Sequence, residues 1–351
     1  MRLDLRPDTI AERAALALGL VPTPFLHTHP TLLLARVLLV ATERDVFEAL
    51  ADGPRSAAEV AETCGTHPEA TARLLDALVG AGYLRRPDGY ALAPLARKWL
   101  LRDSPQSLRD SLLFRKLEWD WMARLDDFVD RGEPLDFHAT MTEEEWGLYQ
   151  RGMRALARLA VPETVRRAPV PAVARDLLDV GGAHGAFSVA LCARYPALSA
   201  VVLDLPAAVA ESAPLLDEAA IESGVRDRIA HRSGDALDDD LGTACFDVVF
   251  VGQFIHHFDD ATGRALVEQF ARALRPGGVL VIQEVMRAAR PEAAGQLGAL
   301  ADLYFALTSA AGTRTFDELA DWQRAAGLDP HRPVRFRTLP GVGQQNATKP
   351  A

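Results

Sequence analysis

The sequence predicts an α/β protein in two parts: a mostly helical, winged-helix-like N-terminal part, then a doubly wound parallel sheet. Three observations carry this. Up to about residue 165 helix follows helix, with one short hairpin. From Arg175 onward short apolar runs alternate with helical stretches at βα spacing. Between them Arg167-Ala168-Pro169-Val170-Pro171 punctuates the chain with two prolines. The predicted domains are therefore 1–167 and 168–351.

Composition bounds the function. Of 351 residues, 49% are apolar and 25% charged, the balance of a globular protein with a sizeable core. Basic residues number 38 and acidic 48, a formal charge of −10, which repels phosphate backbones and argues against nucleic acid as a partner. Cys64, Cys192 and Cys245 are far apart and form no CxxC pair, so no disulfide framework or zinc knuckle is expected and reducing cytosol is the expected compartment. The opening MRLDLRPDTIAER mixes charges of both signs and lacks the order of a signal peptide. The apolar stretch from Ala14 to Val40 is broken by Pro22, Pro24, Pro30 and two histidines. It reads as too interrupted for a membrane span, and as helices buried in a core or a subunit interface.

In the first part, Ser56-Ala57-Ala58-Glu59 is a capping box opening a short helix that ends near Gly65. Thr66-His67-Pro68-Glu69 reads as a second capping box, opening a helix to Gly80 with Leu74, Leu75 and Leu78 on its apolar stripe. Tyr83 to Arg86, Pro87-Asp88-Gly89 and Tyr90 to Leu92 read as strand, turn and strand. That pattern suits a DNA-binding module or a subunit-packing scaffold. The second helix carries one basic side chain, Arg73, against Glu69 and Asp76, and residues 51–100 hold six basic and six acidic residues. A recognition helix presents several donors to base edges, so the scaffold reading is favoured.

In the second part, predicted strands cover Asp176–Val180, Ala200–Leu205, Ile229–Arg232, Phe246–Phe254 and Val279–Glu284. Helices fill the gaps at 186–194, 207–220 and 260–274, the last stopped by Arg275-Pro276-Gly277-Gly278. A further helix is expected at Phe316–Ala326 and two more strands near Val334–Leu339 and Gln344–Thr348. Ligands of such sheets bind outside the carboxyl ends of the strands. The residues following the five strands are Gly181-Gly182-Ala183-His184-Gly185, Asp204, Asp235 with Ala236, His256 with His257, and Glu284. Each alone is weak; together they put a glycine turn and polar groups on one rim.

The glycine turn permits close backbone approach. It departs from G-x-G-x-x-G, since Ala183 and Ala186 stand where glycines would, and no GK[ST] follows. Asp204, 23 residues after Gly181, has the spacing of a carboxylate that accepts both ribose hydroxyls. A nucleoside without a phosphate clamp is implied. Asp235 suits an adenine amine, or a cap on its own loop. The adjacent pair His256-His257 would point to opposite sides on an extended chain, and no other cluster has ligand spacing, so no metal is expected. Asp259 and Asp260 read as helix caps.

In order, DVGGAHGAF, VVLDLP, SGDA, FDVVFVGQFIHHFDD and LRPGGVLVIQEV resemble the class I S-adenosylmethionine-dependent small-molecule O-methyltransferases of the plant caffeate and hydroxyindole type and their bacterial natural-product-tailoring relatives. The resemblance spans nearly the whole chain. It implies a Rossmann-like methyltransferase sheet, an N-terminal dimerisation domain and a homodimer. It implies S-adenosylmethionine as cofactor, with S-adenosylhomocysteine as product, held by Asp179, Gly181, Gly182, Gly185, Asp204, Leu205, Asp235, Ala236 and Gly252. His256 takes the place of the family's general base and Glu284 that of the glutamate that steadies it. Thr313, in Gly312-Thr313-Arg314-Thr315, replaces the family's second glutamate, Ala183 its usual third glycine, and Gly252 a residue that is often Lys or Ser. The acceptor pocket is expected among Phe114, Trp119, Trp121, Met122, Trp146, Met153, His257, Tyr304 and Phe305, since such pockets are mostly apolar. The activity so implied is O-methylation of an aromatic or polyketide-like hydroxyl. The alternatives are methylation of carbon or nitrogen, other tailoring chemistry on the same fold, or a winged-helix regulator or nucleoside-binding module without turnover.

Overall fold

The computed structural model of the chain describes residues 5–309 and 311–351. The opening residues 1–4, part of the stretch read above for a signal sequence, lie outside them. The chain divides into two compact units, one ending at Glu118 and the other running from Trp119 to Ala351.

In the first unit, a helix spans Thr23–Glu43 without interruption. This corrects the expectation that its prolines would break it. Pro22 is the N-cap and Pro24 lies in the first turn, where a missing N–H matters least. Pro30 sits inside, and the Leu26 carbonyl that it cannot serve accepts from the Thr31 hydroxyl at 3.2 Å. By length and composition this helix could cross a membrane. Phe25, Leu32, Leu33 and Leu34 on it are 39–56% exposed in the single chain.

The helices Ala57–Cys64 and Pro68–Gly80 follow, then an antiparallel hairpin of β1 (Leu84–Arg85) and β2 (Ala91–Leu92). The capping box Ser56–Glu59 forms. The one expected at Thr66–Glu69 does not: Pro68 starts the helix, His67 becomes its N-cap, and the Thr66 hydroxyl bonds Thr71 instead. The unit's core gathers Phe47, Leu50, Val60, Leu75, Leu78 and Leu92.

The second unit is built on an eight-stranded sheet. Its strands are β3 (Asp176–Val180), β4 (Ser199–Asp204), β5 (Ile229–Ser233), β6 (Phe246–Gly252), β7 (Leu274–Val285), β8 (Asp329–Pro330), β9 (Val334–Arg335) and β10 (Val342–Thr348). The order is β5-β4-β3-β6-β7-β10-β8, with β9 also on β10. β3 to β7 run parallel and β10 antiparallel to β7. Leu177, Leu178, Val248 to Val251 and Leu280 to Ile282 are buried on both faces, as central parallel strands require. β7 starts at Leu274, five residues before the predicted strand, so the Arg-Pro-Gly-Gly segment that stops the helix already belongs to the sheet.

The rhythm of the sequence changes at 167, but the compact units part at 118, because the helix Glu143–Arg167 packs on the helices Ala186–Arg194 and Pro206–Glu222 beside the sheet. Thr164 near its end donates to Gln283 on β7 at 2.7 Å.

Candidate active site

β3 ends at Val180 and the chain turns through Gly181 (φ +66°), Ala183 (φ +43°) and Gly185 (φ +63°) into the helix Ala186–Arg194. A Cβ at Gly181 would lie 2.5 Å from the Phe254 ring, at Gly182 2.5 Å from the Asp179 carboxyl, and at Gly185 2.1 Å from Leu216. The chain's own packing therefore demands all three glycines. Ala183 holds the same left-handed conformation at a cost on the order of 1–2 kcal/mol. His184 is buried, and burial pulls its imidazole down to about 3; neutral, it accepts from the Ala186 N–H through Nδ1 at 3.2 Å.

Asp204 closes β4. Its two carboxyl oxygens accept from the Ala183 and Leu205 N–H groups, each at 2.8 Å. Burial pushes this carboxyl up to about 6, against the pull of those two bonds. A carboxylate offers about four acceptor positions. Two remain for a pair of vicinal hydroxyls, and donors there would supply the stabilisation that burial has taken away. Asp179, also buried, is pushed up to about 7; the Ser188 hydroxyl at 2.6 Å offsets burial only in part and the Asp204 charge adds to it. A nucleoside bearing a positive charge fits this donor-poor, acidic cradle. Asp235 accepts from its own loop at Leu237 N, 2.9 Å, the turn-cap geometry, and Ala236 beside it is buried. A Cβ at Gly252 would lie 2.8 Å from the Phe250 ring.

After β6 the segment Ile255–His257 forms a single 3-10 turn, not extended chain, and the rings of His256 and His257 meet at 4.2 Å. Glu284 Oε2 accepts from His256 Nδ1 at 2.8 Å, while Oε1 accepts from the Phe254 and Ile255 N–H groups, each at 2.7 Å. A neutral His256 that donates from Nδ1 would present its lone pair at Nε2. Both side chains are buried. His257 Nδ1 lies 2.9 Å from Ser309 Oγ. Asp259 caps the helix Asp260–Ala273 through the Thr262 N–H. Among the described residues no group of three or more His, Cys, Asp or Glu side chains has the geometry to hold a metal ion.

Ring contacts radiate from His256. Phe305 lies 4.1 Å away, Tyr304 stands 5.2 Å from Phe305, His138 stands 4.8 Å from His257, and Trp146 stacks on His138 at 5.5 Å. Trp121 reaches this group through Phe137 at 4.4 Å. Met153 and Trp119 are half-buried, Met122 is exposed, and Phe114 belongs to the other compact unit. Sequence reasoning missed His138, Phe137 and Ser309. Their signal, an aromatic beside a histidine in Asp136-Phe137-His138, is weak without knowing that this short helix meets the turn after β6. Thr313, at the position of the expected second glutamate, bonds the Asp302 carboxyl through its hydroxyl and its N–H.

Fold and rim together define a class, the α/β methyltransferase enzymes. The O-methyltransferase domain model matches residues 130–329 and the O-methyltransferase dimerisation domain model matches 27–102. The chain is 32% identical over 309 residues to the tetracenomycin polyketide synthesis 8-O-methyl transferase TcmO of Streptomyces glaucescens, covering 84% of this chain and 87% of that one. It is 30% identical over 276 residues to acetylserotonin O-methyltransferase of Mus musculus, covering 72% and 70%. The solved human N-acetylserotonin methyltransferase in complex with SAM superposes with a TM-score of 0.79 at 20% identity, over 99% of this chain and 100% of that one. The chain belongs to the O-methyltransferase family.

Proposed function

We propose that this protein transfers a methyl group from S-adenosylmethionine to a hydroxyl of an aromatic or polyketide-like small molecule, with His256 as general base. One observation carries the reading: the buried His256 has Nδ1 2.8 Å from the Glu284 carboxylate, an arrangement that would favour a proton on Nδ1 and leave Nε2 to accept one. The named relatives act on such acceptors: acetylserotonin in one case, a tetracenomycin polyketide in the other.

S-adenosylmethionine, when bound, supplies an electrophilic sulfonium methyl. Asp204 would accept from both ribose hydroxyls and the turn Gly181–Gly185 would line the nucleoside, with Leu205, Asp235, Ala236 and Gly252 beside it. Asp179, pushed up to about 7 in the free protein, would be drawn toward its anionic form by a cationic ligand nearby. His256 Nε2 takes the proton from the acceptor hydroxyl. Glu284, at the other nitrogen, stabilises the imidazolium that results. A phenol with pKa about 10 is mostly protonated at neutral pH, so a base helps, by roughly 10²–10⁴-fold. Holding two reactants in line contributes about 7–11 kcal/mol, so positioning outweighs the base. Trp146, His257, Tyr304 and Phe305 wall the acceptor. Trp119, Trp121, Met122 and Met153 are secondary candidates for that wall.

The protein works as a homodimer through the region of residues 27–102. The dimerisation-domain match and the exposed apolar face of Thr23–Glu43 support this.

The test is incubation with methyl-labelled S-adenosylmethionine and a panel of phenolic natural products, with product structures determined by NMR. An O-methyl ether whose formation slows with His256→Ala supports the reading. A carbon- or nitrogen-methylated product, or no transfer to any hydroxyl with S-adenosylmethionine bound, overturns it.

A further inference from the structure

Ala183 is one of four described non-glycine residues with positive φ, and it stands between two left-handed glycines. A side chain in that conformation is disfavoured unless the surroundings hold it. Two groups hold this one. Its N–H donates to Asp204 Oδ2 at 2.8 Å, and its carbonyl lies 2.8 Å from His231 Nε2. A carbonyl oxygen only accepts, so Nε2 carries the proton and donates. Ser212 Oγ stands 3.5 Å from the same nitrogen, at the outer limit of a hydrogen bond.

The sheet explains why both groups reach one residue. His231 on β5 pairs with Val202 on β4, and Asp204 follows Val202 by two positions. Paired residues, and residues two apart, share a face of the sheet. β4 and β5 therefore aim an acceptor and a donor at the two ends of the same backbone unit. Glycine would need only the acceptor; alanine, at φ +43°, needs its carbonyl held as well.

We propose that His231 is a positioning residue of the methyl-donor site: it holds Ala183 left-handed so that Asp204 keeps the orientation in which its free acceptor positions meet a ribose. The proposal rests on the S-adenosylmethionine reading. His231 acts through Ala183 and Asp204 and touches no substrate.

The test is a double-mutant cycle read by calorimetric titration of S-adenosylhomocysteine into the full-length protein. His231→Phe should weaken binding at least about tenfold, the scale of one lost hydrogen bond with its geometry. Ala183→Gly alone sets the reference affinity of the cycle. The double variant should match Ala183→Gly, because glycine adopts the turn unaided. His231→Gln, whose amide can still donate to the carbonyl, should bind better than His231→Phe. In turnover, His231→Phe should raise KM for S-adenosylmethionine and leave KM for the acceptor unchanged. In the unliganded protein the amide of Ala183 should exchange faster in His231→Phe, a readout that needs no ligand. Equal losses with and without Ala183→Gly, or no loss in His231→Phe, overturn the role of His231 alone. A wild-type protein that binds no S-adenosylhomocysteine overturns the cofactor reading itself.

Discussion

His138 and His257 meet edge to face, their ring centroids 4.8 Å apart, and neither is a cation at neutral pH. Burial draws His138 down to about 4, and the neighbouring His256 adds to it. Burial, then His256 and His138, hold His257 well below the ordinary range. Of the three imidazoles, His256 is the one whose ring nitrogen is hydrogen-bonded to a carboxylate, that of Glu284.

In the pH profile of turnover neither His138 nor His257 should therefore contribute an ionisation above about pH 5, and His138→Phe should leave the slope of the acid limb unchanged. A slope of two in wild-type protein would contradict the arrangement.

His256→Ala should lower kcat by roughly 10²–10⁴-fold on a weakly acidic phenol and by less on an acidic one. Affinity for S-adenosylhomocysteine should stay within about threefold, since the cradle is formed by other residues. Glu284→Ala should lower kcat too, and should also destabilise the fold, because the Phe254 and Ile255 N–H groups lose the carboxylate oxygen they share. Rates paired with titration and thermal melts check both.

Cofactor affinity should weaken as pH falls through about 6. Burial raises Asp204 to about 6 in the free protein. Ribose donors favour the ionised form, so binding lowers its pKa and releases a proton at pH values below that of the free group. The sign for stability is the reverse of the usual acid case. In the free protein, charging Asp204 costs stability as pH rises from its ordinary value, 3.8, through about 6. Titrations between pH 5 and 8 in buffers of different ionisation enthalpy measure the proton release, and Asp204→Asn should abolish it.

Glu163 behaves the opposite way. Burial would raise its pKa, but bonds from the Thr338 hydroxyl and the Thr338 and Arg337 N–H groups, at 2.7, 2.9 and 3.0 Å, outweigh that and hold it near about 2. Its contribution is present above its ordinary value, 4.5, and is lost as pH falls through about 2. Glu163→Ala should destabilise by about 1–3 kcal/mol, removing the carboxylate that accepts from three donors. Denaturant melts of the variant read this; a loss below 0.5 kcal/mol on this scale would refute it.

Leu33→Asp should give a species with the mass of one chain by light scattering. Leu33 is 52% exposed in the single chain, so the substitution strains no core, while it places a charge within the apolar face of Thr23–Glu43.

Much of this was legible beforehand because it is local. The central strands are short runs of branched apolar residues ending in polar ones, so β3, β4 and β6 fall within two residues of expectation. The capping box at Ser56 needs only four residues to declare itself. What was not legible depends on distant partners. Pro30 survives inside a helix because Thr31 serves the carbonyl it abandons. His138 enters the imidazole group only through packing with the turn after β6. The helix Glu143–Arg167 precedes the sheet in sequence yet belongs to its unit, since its partners come later in the chain. Asp329–Pro330 escaped notice because proline argues against a strand, and it pairs only at the sheet's edge.

One carboxylate, that of Glu284, sets both the path of the peptide that carries His256 and the side of the ring on which the proton rests. Proton appetite and backbone shape are thereby welded together. A substitution of Glu284 that alters the first also disturbs the second, whereas the rings of Phe305 and Tyr304 nearby can change without touching that peptide.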